Sequence, residues 1–306
     1  MRYSYATVVC SVLAVLCGCT PVGQWFFGVS ADGIKADRFA NDPLVKRLAI
    51  AVDRGDEAAV AAAVAQGASV NSRGKDGFCL LCWAVARNNP KGFEALLKHG
   101  ADIYADCRDL MYLPDASYSR SVLQQALASE NPQCLKAALR QGLSPDHVPY
   151  PKDGMTLILF AAWIGSMPAI ETLLEAGADI NRRDSSGYTP LVNAMMRRDY
   201  NTAWFLLQRG ADPIIKDDRG NEFADFLKEY GSRGVGPDSS KSFEQIVSEL
   251  VRRGLLTRQD IVEADKPKTS GKPGVEIIYH EPDSEAGQAI RAMDRAEQEA
   301  TRRGNK

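Results

Sequence analysis

The sequence predicts an all-α fold, a solenoid of about six helix-turn-helix units stacked on one another. Three observations predict it. Related glycine turns recur as Gly-Ala-Ser at 67–69, Gly-Ala-Asp at 100–102, Gly-Leu-Ser at 142–144, and Gly-Ala-Asp at 177–179 and 210–212, with their glycines 33, 42, 35 and 33 residues apart. Exactly one kind of opening precedes the last four: 21 residues before each glycine stand Cys79, Ser121, Thr156 and Thr189, while Lys46 holds that place before Gly67. Two apolar runs then fill the distance between opening and glycine, the length of two short helices and a turn. A unit this small cannot bury its apolar face alone, so neighbours must stack.

Residues 1–18 precede the repeats and differ from them. Arg2 is followed by a mostly apolar run from Ala6 to Leu16, then Leu16-Cys17-Gly18-Cys19. The run is too short for a bilayer core of about 30 Å, which needs about 20 residues, so it reads as a signal peptide. Leu16-Cys17-Gly18-Cys19 resembles the lipobox of bacterial lipoproteins, which implies lipid on Cys19 as the new N-terminus. An ordinary signal peptide cleaved near Gly18 is the alternative. By the same resemblance Thr20, where an aspartate would hold the protein at the inner membrane, favours the outer membrane, with the soluble part on the periplasmic side. Residues 19–40 form the tether, with an apolar knot at Trp25-Phe26-Phe27.

The repeats occupy residues 41–256, in units of approximately 41–73, 74–119, 120–152, 153–185, 186–218 and 219–256. Thr189 can cap a helix whose first turn accepts Pro190, because proline there gives up only a hydrogen bond that the helix start could not make. Leu191, Ala194 and Met195 then face inward. The alanines at 84, 126, 161 and 194 let paired helices approach closely, and Leu96-Leu97, Leu173-Leu174 and Leu206-Leu207 supply the second helix's apolar stripe before the glycine ends it. The 42-residue spacing marks an insertion around Cys107 to Tyr118, and the last unit carries a second one at about Ser232 to Ser242. Gly187-Tyr188-Thr189-Pro190-Leu191, Ala194, Phe205-Leu206-Leu207 and Gly210-Ala211-Asp212 together resemble the ankyrin repeat. The resemblance implies an ankyrin-repeat solenoid. Residues 257–306 are a charged tail, polar and rich in Pro and Gly at 266–274, in which 275–279 fits a short strand and 285–303 a solvated helix.

Composition sets limits on function. With 45% hydrophobic and 25% charged residues and a formal charge of −2, the chain is ordinary in make-up and lacks the concentrated basic surface that nucleic acid requires. Catalysis needs a base, nucleophile or metal set gathered in one cleft. The three histidines, His99, His147 and His280, lie in separate units with no partner at helical spacing, and Gly231 to Gly236 lacks the lysine of a phosphate loop. No enzyme, metal or cofactor is therefore expected. Of the seven cysteines, Cys10, Cys17 and Cys19 belong to the leader and lipobox, leaving Cys79, Cys82, Cys107 and Cys134. Cys79-Leu80-Leu81-Cys82 lacks the two further ligands of a zinc site. The pair falls at the threonine and histidine positions of the family's Thr-Pro-Leu-His tetrapeptide, whose side chains touch, which makes Cys79 and Cys82 disulfide candidates in an oxidising compartment. Two reduced, buried cysteines are the alternative.

The ankyrin resemblance also implies a binding surface, made of hairpin tips and the outward ends of the first helices. The positions that face the groove in that family are Ala86-Arg87, Ala128-Ser129, Trp163-Ile164 and Met196-Arg197 here. Trp163, Ile164, Met196 and Arg197 are the expected centre of a partner-binding surface, with Arg87, Arg183, Asp184, Lys216 and Arg219 at its charged rim. The layout is similar to periplasmic ankyrin lipoproteins that act as immunity proteins against secreted toxins, notably type VI phospholipases. The partner is then another protein, a toxin or an envelope enzyme, and the unbound chain is expected to be a monomer. An adaptor that tethers an envelope enzyme is the second reading.

Overall fold

The computed structural model describes residues 36–39, 42–74, 77–105, 121–149, 153–230 and 240–257. The leader with Cys19, most of the tether, the bulk of both insertions and nearly all of the tail lie outside the described residues. Within them are a short 3-10 turn, Ala36–Phe39, and twelve α-helices that fall into six consecutive pairs. These are α1 Pro43–Arg54 with α2 Glu57–Ala65, α3 Leu80–Ala86 with α4 Pro90–Lys98, and α5 Val122–Ala128 with α6 Gln133–Arg140. They continue as α7 Leu157–Ile164 with α8 Met167–Glu175, α9 Pro190–Met196 with α10 Tyr200–Gln208, and α11 Phe223–Tyr230 with α12 Ser240–Arg252. No strand occurs among the described residues, where Arg73 and Cys79 form one isolated bridge.

The openings read from the sequence do cap first helices. Ser121 makes a full capping box with Gln124, and Thr189 Oγ1 accepts from the Val192 N–H at 3.4 Å. Thr156 has the extended backbone of a cap but no side-chain cap bond. Repeat 1 departs from the 21-residue rule. Its first helix starts at Pro43, capped by Asp42, whose carboxylate accepts from the Leu44 N–H at 2.8 Å, so Lys46 lies inside the helix. The same carboxylate accepts from the Val45 N–H at 3.4 Å and Pro43 has no N–H to satisfy, whereas a lysine side chain can only donate.

Two compact bodies divide the described residues. The first holds α1 to α8. There the first helices α1, α3, α5 and α7 contact one another in sequence, and so do the second helices α2, α4, α6 and α8. Ala84, Ala126 and Ala161 are almost fully buried between the rows, as are Leu48, Phe93, Leu96, Leu135 and Leu173. Burying one such side chain stabilises by about 1.5–3 kcal/mol, which makes this stack, rather than helix propensity, the source of helices only seven to nine residues long. Ion pairs run along the second helices, Lys98 to Glu57, Arg140 to Glu94 and Lys136 to Glu175, all of them too exposed to contribute much.

The second body holds 153–155 and α9 to α12. Leu191, Ala194, Met195, Leu206 and Leu207 form its core with Phe223, Ile246 and Leu250. Gly210 ends α10 at φ +93° with open space beside it, so the backbone conformation and not crowding demands glycine there.

Candidate functional site

Seven residues past its cap, the first helix of repeats 2 to 5 reaches its last turn, and the side chains there are the ones the sequence marks for a partner. In repeat 4 that turn carries Trp163 and Ile164, both half-buried, before Gly165 turns the chain at φ +76°. In repeat 5 it carries Met196, half-buried, and Arg197, exposed. Trp163 and Ile164 belong to the first body, Met196 and Arg197 to the second.

The expected rim residues divide by what already holds them. Arg87 is engaged within its own body: its Nε donates to Asp53 at 2.7 Å and its guanidinium lies 5.8 Å from the Trp83 ring centre. Asp184 builds its own turn, accepting from the Ser186 and Tyr188 N–H groups at 2.8 and 2.9 Å. Asp217, 33 residues later, does the same for Arg219 and Asn221. Arg183 bridges successive hairpins by donating to the Gly187 carbonyl and to Asp218. Lys216 is exposed and 3.4 Å from Glu222, and Arg219 is exposed. Of the residues expected at the site, Arg197, Lys216 and Arg219 are exposed cations of the second body, while Asp184 and Asp217 stabilise turns.

Hairpin tips add apolar residues that the sequence reading passed over. A ladder joins successive loops: Asn71 accepts from the Asp102 N–H at 2.9 Å, Asp146 from Asp179 at 3.3 Å and Asn181 from Asp212 at 2.9 Å. All three acceptors stand two residues after the Ser or Asp of the glycine turn. Tyr104 and Ile214 occupy that same place in repeats 2 and 5, and they are 49% and 51% exposed. Tyr104 stacks on His147 at 4.7 Å. The signal was present in the register of the glycine turns, as two apolar residues where an amide or carboxylate recurs.

Cys79 and Cys82 lie together at the start of α3. Their sulfurs, both buried, stand 3.0 Å apart. The Cys79 sulfur also caps α3, accepting from the Cys82 N–H at 3.3 Å. Cys134 is free and buried, and burial pushes its thiol up to about 12.

Residues 117–217 match the family model for ankyrin repeats in three copies. The fold is an ankyrin-repeat solenoid. It is similar to the human ASB11 ankyrin repeat domain, at a TM-score of 0.50 and 19% identity over 80% of this chain and 96% of that one. Among curated relatives, an ADP-ribosylation factor GTPase-activating protein, AGD4, of Arabidopsis thaliana is 39% identical over 79 residues, which is 26% of this chain and 10% of AGD4. A putative ankyrin repeat-containing protein of Treponema pallidum is 41% identical over 63 residues, 21% of each chain. The ankyrin match thus spans 21% or less of those relatives' lengths. Ankyrin repeats are protein-binding modules, and the model that matches is of a repeat and not of a catalytic domain.

Proposed function

We propose that this ankyrin-repeat protein is a lipid-anchored binder of the bacterial envelope that captures and neutralises a secreted, periplasm-acting toxin such as a type VI phospholipase. One observation carries the binding half of this reading: bulky apolar side chains sit where helices and hairpins end, with Trp163, Ile164 and Met196 half-buried and Ile214 half-exposed, rather than in the core. Leaving such groups in water is unfavourable, and aromatic anchors at a partner interface commonly supply 2 kcal/mol or more. Leu16-Cys17-Gly18-Cys19 supports the location, and the layout of leader followed by repeats supports the immunity role.

The test uses full-length protein. Trp163→Ala should weaken capture of the cognate toxin by about thirtyfold, the equivalent of about 2 kcal/mol, whereas Lys216→Ala at the rim should cost less. Cells carrying Trp163→Ala should also lose protection while the protein still folds and reaches the envelope. A sharp fall in melting temperature would make Trp163 a core residue and end the anchor claim. Capture at parental strength without protection would point to an adaptor that tethers its partner and does not inhibit it. Equal fatty-acid labelling of the parent and Cys19→Ser would remove the lipid anchor.

A further inference from the structure

Hairpins 180–187 and 212–222 of the second body are pinned to each other. The Asp218 N–H donates to the Ser186 carbonyl at 3.2 Å, and Arg183 reaches across to the Asp218 carboxylate. The two backbones run so close that a Cβ on Gly187 would come within 2.7 Å of the Asp218 nitrogen. An edge ordered in this way gives up little further freedom when something docks on it. It also carries a large apolar side chain in water. Ile214 is 51% exposed, and Asp212 fixes its place by accepting its N–H at 3.0 Å.

The charges of these hairpins are sorted by depth. Arg182, Arg183, Lys216 and Arg219 are exposed, whereas Asp184, Asp212 and Glu222 are half-buried and Asp217 is buried. Turn N–H groups already occupy three of the carboxylates: Asp184 accepts from Ser186 and Tyr188, Asp212 from Ile214, and Asp217 from Arg219 and Asn221. Asp218, the exposed one, holds Arg183, and Glu222 lies 3.4 Å from Lys216. Arg182 and Arg219 are in no ion pair among the described residues. Carboxylates outnumber cations here by five to four, yet a partner touching the edge meets guanidinium groups first. Guanidinium is matched in shape and charge to a carboxylate, which it can grip through two parallel hydrogen bonds. Building on the partner-binding reading above, we infer that this edge receives an acidic segment of the partner protein, with an apolar side chain on Ile214 and carboxylates on Arg182 and Arg219.

Fluorescence anisotropy on the full-length protein tests this with defined peptides. The probe is a short fluorescein-labelled peptide of glutamates around a central Leu-Leu, compared with its glutamine and lysine counterparts. The glutamate peptide should bind at least about tenfold more tightly than the glutamine one, and the gap should narrow as salt is raised. Arg182→Gln with Arg219→Gln should abolish the preference. Arg47→Gln with Lys91→Gln, an equal loss of charge at exposed positions of the first body, should keep it. Ile214→Ser should weaken the glutamate and glutamine peptides alike. Equal binding of those two peptides to wild type would overturn the inference, and that comparison requires no variant to fold. A preference that survives Arg182→Gln with Arg219→Gln overturns it too. The capture assay on Trp163→Ala involves none of these peptides, so loss of capture there with no peptide preference removes the acidic segment and leaves the partner-binding reading intact.

Discussion

The first helices of repeats 2 and 4 end in opposite chemistry at one register. Repeat 2 places Ala86 and Arg87 there, and the end is bound inward: Arg87 to Asp53, and Asn89, two residues on, to the Val52 and Asp53 carbonyls at 3.0 and 2.7 Å. These bonds satisfy the last carbonyls of α1, which lack helical partners of their own. Repeat 4 places Trp163 and Ile164 at the same register, bulky, apolar and half-buried. A helix end at this register can therefore be tied into the stack by polar bonds or carry bulky apolar side chains. Trp83 sharpens the contrast. It stands four residues past its cap instead of seven, and it is 1% exposed, edge-on to Phe39 at 6.1 Å.

The largest expected effect separates those two tryptophans. Trp83→Ala should lower stability by about 3–5 kcal/mol, the usual cost of emptying a buried aromatic site, whereas Trp163→Ala should change it far less. Denaturant melts of both variants check this. Comparable losses would break the contrast and return Trp163 to the core.

Much of this was legible in the sequence, because a helix pair repeats its chemistry at fixed offsets. Alanines 84, 126, 161 and 194 and the leucines before each glycine turn are buried as the register implies. Three things were not legible. The cap of repeat 1 moved to Asp42 because the fixed offset outweighed a local Asp-Pro signal. The turn roles of Asp184 and Asp217 depend on backbone N–H groups that converge only after the hairpin closes. Sulfur pairing depends on distances, and a Cys-x-x-Cys spacing accommodates either a bond or a cap.

Next in size is a test of how tightly repeat 2 is stacked. Gly92 lies in α4 where Cys134, Ala169 and Thr202 stand in later repeats, and a Cβ there would collide with the Val52 carbonyl of α1. Backbone does not yield cheaply. Gly92→Ala should cost about 1–3 kcal/mol despite alanine's better helix propensity, as overpacking does. Thermal melting against wild type reads the sign. A gain in stability would mean that α1 and α4 separate easily, and that the inward bonds of Asn89 do not hold the end of repeat 2.

The smallest effect concerns the residue that turns the chain after each first helix. Gly55 and Gly165 take φ of +63° and +76° there, but repeat 5 has Arg198 at φ +56°. A side chain in this left-handed region costs about 1–2 kcal/mol, and glycine's added freedom in the unfolded chain returns about 0.5–1 kcal/mol of that when it is introduced. Arg198→Gly should therefore stabilise the protein by less than about 1 kcal/mol, a rise of a few degrees at most in melting temperature. The sign matters more than the size. If the variant is instead less stable, contacts of the Arg198 side chain outweigh its backbone strain, and the end of repeat 5 is held by a guanidinium as Arg87 holds repeat 2. If it is more stable, the strained arginine serves something other than folding, in keeping with the partner role proposed for Met196 and Arg197 beside it.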